Sequence, residues 1–459
     1  MRALVVLSSA SEKLNKHLPQ ILVELGILYL YKVVLDIFFA HKILKIYGYQ
    51  PYYFGVYGQG IDSLKLFAGY IMLALVWIIS RPVFLNEKRP ISQVFLAAQL
   101  LLILVPSLSM MSWRGIAPTS TVWVVASYLL LSMFFIFAPR LTLVPPPAEI
   151  AMLSVAIAIG LLIYVYFSLI VVGGLARLNF DFARVYEYRA LYVQSRPPLL
   201  GYLVPWTGYT INIGILVYGL MRPNRTLLFL AIGLQVLLYG MTNYKSFLLL
   251  PALIVFFVVL RKFRWFSDFK SSIYLAITVS VFLFVVLLSV NMDYLKILFV
   301  LIERVYYMPA ALHFLYFDYF TKESFAFFSG SPWINIWGLP STYDVSPARL
   351  LAEFYWGRDF NPNAGWVAMG FANMGAAGIL VYSAFLALYM WIVDSIAILL
   401  PDKSSAQAYF LGIIIALVND SLTTAMITQG GLMAVWGLWT LSYFLRWKRT
   451  SIDDYRGVA

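Results

Sequence analysis

The stretch "EIAMLSVAIAIGLLIYVYFSLIVV", residues 149–172, decides the fold class. It contains 24 residues and a single charged side chain, Glu149 at its start. A helix needs about 20 predominantly apolar residues to cross the hydrocarbon core of a bilayer. The sequence therefore predicts a transmembrane helix here.

Similar apolar segments recur along the whole chain. Hydrophobic residues make up 62 % of it and the mean hydropathy is +0.82, against roughly 45–50 % apolar residues in soluble domains. The predicted spans are 19–40, 62–80, 92–111, 119–138, 149–172, 205–221, 226–241, 246–260, 272–291, 370–398, 408–424 and 430–446. We expect an all-α, polytopic membrane protein with about twelve transmembrane helices in one membrane domain, residues 1–459.

Basic residues in the short loops predict the orientation of these spans. Eighteen of them fall on one side, among them Arg2, Arg81, Arg140, Arg222 and Arg446. Because cytoplasmic loops carry an excess of Lys and Arg, this side is predicted to be cytoplasmic, with both termini and the tail 447–459 inside. The net charge of +12 is explained in this way and does not indicate nucleic-acid binding. The apolar run in the first 17 residues is too short for a signal peptide, and we expect a cytoplasmic arm.

The chain has few of the residues that bind metals or form redox centres. It contains no cysteine, which excludes disulfides and thiolate metal sites, and its three histidines, His17, His41 and His313, lie far apart. We therefore predict neither a metal site nor a cofactor.

Two long connections fall on the predicted outer face, loop one at about 173–204 and loop two at about 292–369. Loop two begins with "YLKILFVLIERVYYMPAALHFLYF", residues 294–317, which is apolar enough for a thirteenth span. A thirteenth span would place residues 353–366 in the cytoplasm. We expect instead a helix that lies at the outer interface or packs into the bundle.

The two outer loops carry an unusual set of basic residues. They are Arg177, Arg184, Arg189, Arg196, Lys296, Arg304, Lys322, Arg349 and Arg358. The planar fork of arginine matches two phosphate oxygens, so such a set beside a membrane favours an anionic lipid headgroup, for which a polyprenyl diphosphate is a natural candidate. Lys245, in the turn "NYKS", is either a phosphate contact or a lysine that snorkels to the interface. Long loops also tolerate charge without any function.

A polar cluster in loop two interrupts the apolar sequence. The stretch "EFYWGRDFNPNAGW", residues 353–366, contains Glu353, Arg358, Asp359, Asn361 and Asn363. Glycosyl transfer to a hydroxyl needs a base and groups that stabilise the leaving diphosphate. Aromatic residues interleaved with charges suit sugar stacking, although an interfacial aromatic belt has the same composition. The other interpretation of the cluster is a loop that bonds to itself and caps the next helix through Asn363.

The chain resembles the Wzy-type polymerases of oligosaccharide repeat units in bacterial surface polysaccharides. The resemblance covers roughly residues 150–430 and rests on "VYEYR" and "PPLLGY" in loop one, the turn "NYKS", "ERVYYMPAALHFLYFDYF", and "EFYWGRDFNPNAGWVAMGFANMGAAG". The family has essential arginines in its two large outer loops, written as an Arg, ten residues and a Gly. Here eleven residues separate Arg189 from Gly201, and Arg304 has no glycine at the matching distance.

The resemblance implies a GT-C-like membrane glycosyltransferase whose active site faces the periplasmic side of the bacterial inner membrane. Its substrates would be undecaprenyl-diphosphate-linked oligosaccharides, and the growing glycan would pass to a new lipid-linked unit with release of undecaprenyl diphosphate. A chain-length regulator and a flippase are the expected protein partners. No metal is expected, since arginines and a lysine would stabilise the leaving group.

Roles follow for individual residues. The diphosphate contacts are assigned to Arg189, Arg304, Lys245 and Arg358. The catalytic candidates are Asp359, Glu353, Glu187 and Arg304, and the sugar contacts are Asn361, Asn363, Tyr188 and Tyr307. The small-residue run 370–378, "GFANMGAAG", predicts close helix packing.

Two other functions remain open. An O-antigen ligase, which transfers glycan to lipid A core, typically relies on a histidine in the large outer loop, and His313 is the one histidine in the loops, within an apolar segment that favours a packing role. A flippase for the same lipid would place charged residues inside the spans. The predicted spans hold Glu24, Lys32, Asp36, Asp394 and Asp420, mostly near helix ends.

Overall fold

The computed structural model of the protein describes residues 2–53, 56–263, 265, 268–290, 295–330 and 341–456. The side chains of residues 2–17, 296–297 and 447–456 are not among those described. The side chains of the predicted N-terminal arm, of Lys296 and of the whole tail 447–459 therefore lie outside the described residues, as do the loop-two residues 331–340.

The fold is all-α in the part of the chain that the structure describes, as the sequence predicts. Nine of its helices are long and apolar enough to cross a membrane: Ser63–Phe84, Pro90–Met111, Thr119–Phe137, Ala148–Val171, Leu200–Met221, Arg225–Thr242, Phe269–Ser289, Leu298–Lys322 and Trp366–Ala397. Eight of them coincide with predicted spans. The protein is thus a polytopic α-helical membrane protein by the length and composition of its helices.

The other four predicted spans also fall on helices. These are Arg2–Phe38, Lys245–Lys262, Lys403–Asn419 and Gly431–Arg456. The first carries Glu24, Lys32 and Asp36 along its length, and the second carries Lys245 at its start with Arg261 and Lys262 at its end. Charge and length therefore separate these four helices from the other eight, and the count of twelve stays a prediction.

The first part of loop two forms a long helix. Leu298–Lys322 passes the same criteria for a membrane span as its neighbours. Its Met308–Lys322 part buries Ala310, Ala311 and Tyr316 almost completely. Of the two sequence-based expectations for this segment, the structure favours a helix packed into the bundle.

The chain forms two compact units whose segments alternate in sequence. The first unit comprises Met1–Leu85, Leu96–Ile136 and Phe269–Ser383, and the second comprises Asn86–Phe95, Phe137–Asp268 and Ala384–Ala459. Nothing in the sequence pattern indicates this division.

Two groups of buried charges in the first unit form ion pairs. The Glu24 carboxylate accepts from Arg81 Nε at 2.8 Å and from Trp77 Nε1 at 3.0 Å, and it also pairs with Lys270. Further along the same helix, Lys32 Nζ lies 2.8 Å from Asp36 Oδ2. The ions of these two groups have partners, which is the condition under which a charge is tolerated in an apolar interior.

In the second unit, side chains form hydrogen bonds with backbone groups at a helix start and at an irregular turn of a helix. Asp394 accepts from the backbone N–H of Ile91 at 2.8 Å and from Ser92 Oγ at 2.6 Å, so it caps the helix that begins at Pro90. Gln235 Nε2 donates to Gly208 O at 3.0 Å inside the π-helical turn Thr207–Ile211. These bonds supply partners for backbone groups at membrane depth, where water is scarce.

The helix Trp366–Ala397 is sharply bent within the first unit. Met374 and Gly375 leave helical geometry, with φ at Gly375 of +59°. In a straight helix, Gly370 and Gly378 would lie about 12 Å apart. Here a Cβ on Gly370 would come within 2.9 Å of Gly378 O. The small-residue run does serve close packing, but between the two halves of its own helix.

Candidate functional site

The "NYKS" turn, residues 243–246, lies at the predicted outer end of the second unit. The helix Arg225–Thr242 ends at Asn243, whose φ of +57° is left-handed, and the helix Lys245–Lys262 begins two residues later. Asparagine tolerates this conformation better than most residues. Asn179 in loop one donates to Asn243 Oδ1 at 2.7 Å, which ties loop one to the turn.

A short helix of loop one, Val185–Ser195, packs against this turn. Its buried side chains are Val185 and Tyr192, and the Tyr192 ring lies edge-on to Tyr244 at 6.0 Å between centroids. Burial raises the pKa of Tyr192 to about 12, so its hydroxyl stays protonated at neutral pH. The apolar side of the helix therefore fixes the position of its polar side.

Arg189 and Lys245 are brought together by two reciprocal cation–π contacts. The Arg189 guanidinium carbon lies 4.3 Å from the centre of the Tyr244 ring, and Lys245 Nζ lies 5.1 Å from the centre of the Tyr186 ring. Tyr186 and Arg189 are one helical turn apart, and Tyr244 and Lys245 are neighbours. Two cations that are distant in sequence thus face the same place, next to a helix start that no side chain caps among the described residues. Helix starts carry partial positive charge, so this arrangement suits an anion.

A carboxylate that our sequence analysis did not assign to the site lies at the same end of the second unit. Asp420 follows the helix Lys403–Asn419 and accepts a long hydrogen bond from Gln429 Nε2 at 3.4 Å. Both Asp420 and Arg189 act electrostatically on the Tyr209 hydroxyl, which shares a 2.7 Å hydrogen bond with Ser246. We name Arg189, Tyr244, Lys245, Tyr209 and Asp420 the cation–carboxylate cluster.

Glu187 and Tyr188 both contact Arg184. Arg184 Nη2 lies 2.8 Å from Glu187 Oε1, and the Arg184 guanidinium lies 5.0 Å from the centre of the Tyr188 ring. The hydrogen bond from Arg184 lowers the pKa of Glu187, which makes it a weaker base. Glu187 is therefore less suited to proton abstraction than the sequence alone indicates.

The polar stretch 353–366 belongs to the first unit. It begins in the short helix Pro347–Trp356, which buries Leu351 and Ala352 and exposes Glu353. Gly357, with φ of +61°, ends this helix and accepts the left-handed conformation that other residues resist. The chain then runs to the helix that begins at Trp366.

The predicted site residues of this stretch are exposed. Arg358, Asp359, Asn361 and Asn363 all lie at the surface, and Asp359 Oδ1 is 3.2 Å from Arg349 Nε in a solvent-accessible pair. The next helix starts at Trp366, and the Asn363 backbone N–H donates to Asn361 O at 2.9 Å, a bond within the loop. The helix-capping role of Asn363 stays a prediction.

Aromatic rings surround this stretch within the first unit. Trp356 lies 4.9 Å from Tyr52 and 5.3 Å from Phe360 between ring centroids. Burial and the charge of Glu303 raise the pKa of Tyr52, whereas Arg304 opposes the rise, so Arg304 lies near this group of rings. Tyr355 donates to Asp318 Oδ2 at 2.8 Å. Rings beside exposed amide and carboxylate groups suit sugar binding.

Two candidates from the sequence prove to be packing residues. Tyr307 is fully buried and donates to Leu35 O at 3.0 Å, so it is unsuited to contact a sugar. His313 is 1 % exposed and its Nδ1 bonds Pro309 O at 2.7 Å. The packing role expected for His313 is thereby supported.

The predicted site residues thus fall into two groups. Glu187, Tyr188, Arg189 and Lys245 lie in the second unit; Arg304, Tyr307, Glu353, Arg358, Asp359, Asn361 and Asn363 lie in the first. Sequence reasoning missed Tyr209, Tyr244 and Asp420 as members of the site in the second unit. The polar pair Asn419–Asp420 at the end of an otherwise apolar segment was a usable signal for the last of these.

Comparison of the chain with known protein families, with characterised proteins and with solved structures finds no match.

Proposed function

We propose that this protein is a glycosyltransferase that polymerises undecaprenyl-diphosphate-linked oligosaccharide repeat units in the bacterial inner membrane. The growing glycan is transferred to a hydroxyl of a new lipid-linked unit, and undecaprenyl diphosphate leaves. The C–O bond to the diphosphate breaks as the new glycosidic bond forms, and the acceptor proton passes to a carboxylate. The observation that carries the proposal is the pairing of Arg189 and Lys245 over tyrosine rings.

Arg189 and Lys245 bind the diphosphate in this mechanism. Arginine supplies two parallel donors to phosphate oxygens, and lysine supplies a point charge. Neither side chain has a carboxylate partner among the described ion pairs, whereas Arg184 is held by Glu187. The charge of Arg189 and Lys245 is therefore available for a leaving group, in place of a metal ion.

Asp420 accepts the acceptor proton in this proposal. It lies in the cation–carboxylate cluster, so a base and the diphosphate contacts share one end of the second unit. In the first unit, Asp359, Glu353, Asn361, Asn363 and the Trp356 ring are proposed to contact sugars of the glycan. Arg358 and Arg304 remain candidates for a phosphate contact in that unit.

The test reconstitutes the purified protein with undecaprenyl-diphosphate-linked repeat units and follows the products on a gel, with and without a chelator. We expect a ladder that the chelator does not abolish. Arg189→Gln and Asp420→Asn should each reduce its rate by about 100-fold or more, since general-base and charge-stabilising groups contribute about 10²–10⁴-fold.

Arg184→Gln is the matched control for Arg189→Gln, because it removes the same charge from the residue that immediately precedes the same helix. We expect it to retain activity within about threefold. Equal losses in the two arginine variants would reject the assignment of Arg189. A ladder that is lost with chelator and restored by a divalent ion would reject the metal-free mechanism, and transfer only onto a lipid A core acceptor would identify a ligase.

Transport of the same lipid is the second candidate, and one observation favours it. Lys32 and Asp36 form an ion pair deep in the first unit, and ionisable residues at membrane depth often mark a pathway. A variant Lys32→Met that stops delivery of repeat units at an unchanged amount of folded protein in the membrane, while leaving polymerisation in vitro intact, would support transport.

A further inference from the structure

A long apolar groove lies within the second unit. Its volume is about 690 Å³, and it is formed by the helices Ala148–Val171, Leu200–Met221 and Gly431–Arg456 together with Tyr409 and Leu227. Side chains such as Met152, Ile159, Ile215 and Trp436 make its wall almost entirely apolar. Two of the three helices are long and apolar enough to cross a membrane, so the groove faces hydrocarbon rather than water.

The dimensions of the groove match one lipid chain of one leaflet. Along the Gly431–Arg456 helix it extends from Met433 to Phe444, which is about 16 Å at 1.5 Å per residue. Half of a hydrocarbon core is about 15 Å thick. A cavity of about 150 Å³ holds benzene, or about 25 Å³ per carbon, so this groove has room for roughly 25–28 carbon atoms. A single acyl chain fits, whereas a C55 polyprenyl chain would need about twice the volume.

Arginines lie at one end of the groove. Tyr218 and Phe444 line that end. Arg222, one turn after Tyr218, donates through Nη2 to Phe444 O at 3.0 Å and Leu445 O at 2.7 Å. Its Nε is buried and has no hydrogen-bond partner among the described residues. Arg225, three residues further, is exposed. The charge at this end therefore complements an anionic headgroup.

We propose that the groove binds one acyl chain of an anionic glycerophospholipid, whose headgroup lies beside Arg222 and Arg225. The lipid sits in the leaflet that meets the Met221 end of the Leu200–Met221 helix, which is the predicted cytoplasmic leaflet. This site is separate from the cation–carboxylate cluster and does not depend on the proposed function.

Gly214 offers a way to fill the groove without disturbing its wall. A Cβ on Gly214 would meet only Tyr409, at 3.5 Å, so a larger side chain extends into the groove. Gly160 lies on a lining helix but outside the lining, with nothing within 4 Å of its Cβ position. Gly214→Leu is therefore the test variant and Gly160→Leu is its control.

The proteins are purified in mild detergent from membranes of mixed phospholipids and analysed by native mass spectrometry. We expect about one bound anionic phospholipid per chain in the unaltered protein and in Gly160→Leu, and an occupancy about tenfold lower in Gly214→Leu. Unchanged occupancy in Gly214→Leu would overturn the site. Recovery of a polyprenyl lipid or a zwitterionic phospholipid as the main bound species would overturn the proposed occupant.

A second variant guards against misfolding of Gly214→Leu. Arg225→Gln alters an exposed side chain. The unaltered protein and this variant, both free of lipid, are titrated with phosphatidylglycerol and with phosphatidylcholine. We expect the preference for phosphatidylglycerol to fall about fivefold, the value of one Arg near an anionic lipid surface. An unchanged preference would show that the end of the groove does not select charge.

Discussion

Two lysine–aspartate pairs in the first unit have the same helical spacing and differ in burial. Lys32–Asp36 has an N–O distance of 2.8 Å with Lys32 fully buried, whereas Lys322–Asp318 has a distance of 2.7 Å with Lys322 67 % exposed. Water screens the second pair and leaves its contribution near zero to 1 kcal/mol. Without Lys32, the Asp36 carboxylate, whose side chain is 18 % exposed, keeps the hydrogen bond from the Tyr70 hydroxyl at 3.1 Å but loses its counter-charge.

We therefore predict that Lys32→Met destabilises the folded protein by about 3–5 kcal/mol. Lys322→Met, its matched control, should change the stability by less than about 1 kcal/mol. Both are measured as the midpoint of thermal unfolding in the same detergent. Equal midpoints for the two variants would contradict the structural role of the Lys32–Asp36 pair.

At the scale of the element, the bent helix Trp366–Ala397 depends on carbonyls that find partners outside it. Ala372 O and Asn373 O accept from the backbone N–H groups of Ala326 and Phe327 at 2.8 and 3.1 Å. The buried Asn373 side chain accepts from Phe328 N at 2.7 Å. Phe327 and Phe328 both have positive φ, which is strained for non-glycine residues. The bend is therefore stabilised by a second segment of the same unit.

Gly378 is expected to be the least replaceable residue of this bend. A Cβ there would overlap the Gly370 carbonyl oxygen, so Gly378→Ala should destabilise the protein by about 1–3 kcal/mol or more. Gly233→Ala, inside the helix Arg225–Thr242 with open space around its Cβ, should leave the stability unchanged or raise it by up to about 1 kcal/mol. Thermal unfolding of the two variants measures the difference. A Gly378→Ala protein as stable as Gly233→Ala would show that the two halves of the helix do not touch.

At the scale of the whole molecule, the open question is which side of the membrane each loop occupies. The sequence predicts Glu187 and Asp359 on the outer face and Lys403 in the cytoplasm. The helix Leu298–Lys322 is apolar enough to cross the membrane, and a crossing there would reverse the side of everything after it.

Because the chain has no cysteine, single cysteine variants at these three positions can be labelled without background. We expect Glu187→Cys and Asp359→Cys to react with a membrane-impermeant maleimide in intact cells with a permeabilised outer envelope, and Lys403→Cys to react only after the inner membrane is opened. The opposite result for Asp359→Cys and Lys403→Cys, with Glu187→Cys unchanged, would establish Leu298–Lys322 as a thirteenth span.

By itself the sequence determined the class of the protein and the position of most helices. Runs of about 20 apolar residues have one stable state in a bilayer, a helix with its own hydrogen bonds satisfied, so composition alone predicts them. The tight turn at Asn243–Tyr244 was also predictable, since the predicted spans 226–241 and 246–260 leave only residues 242–245 between them.

Only the tertiary structure decided which polar residues meet. Arg184 and Arg189 are five residues apart and look equivalent in sequence, yet one is held by Glu187 and the other lies over Tyr244. Asp420 and Arg189, more than 200 residues apart in sequence, both act electrostatically on the Tyr209 hydroxyl. Tyr307 is fully buried and donates to Leu35 O, whereas Tyr186 is exposed and contacts Lys245. Such pairings depend on which helices pack side by side. The apolar pattern of a helix does not specify its neighbours, because lipid and another helix are equally apolar surroundings for it.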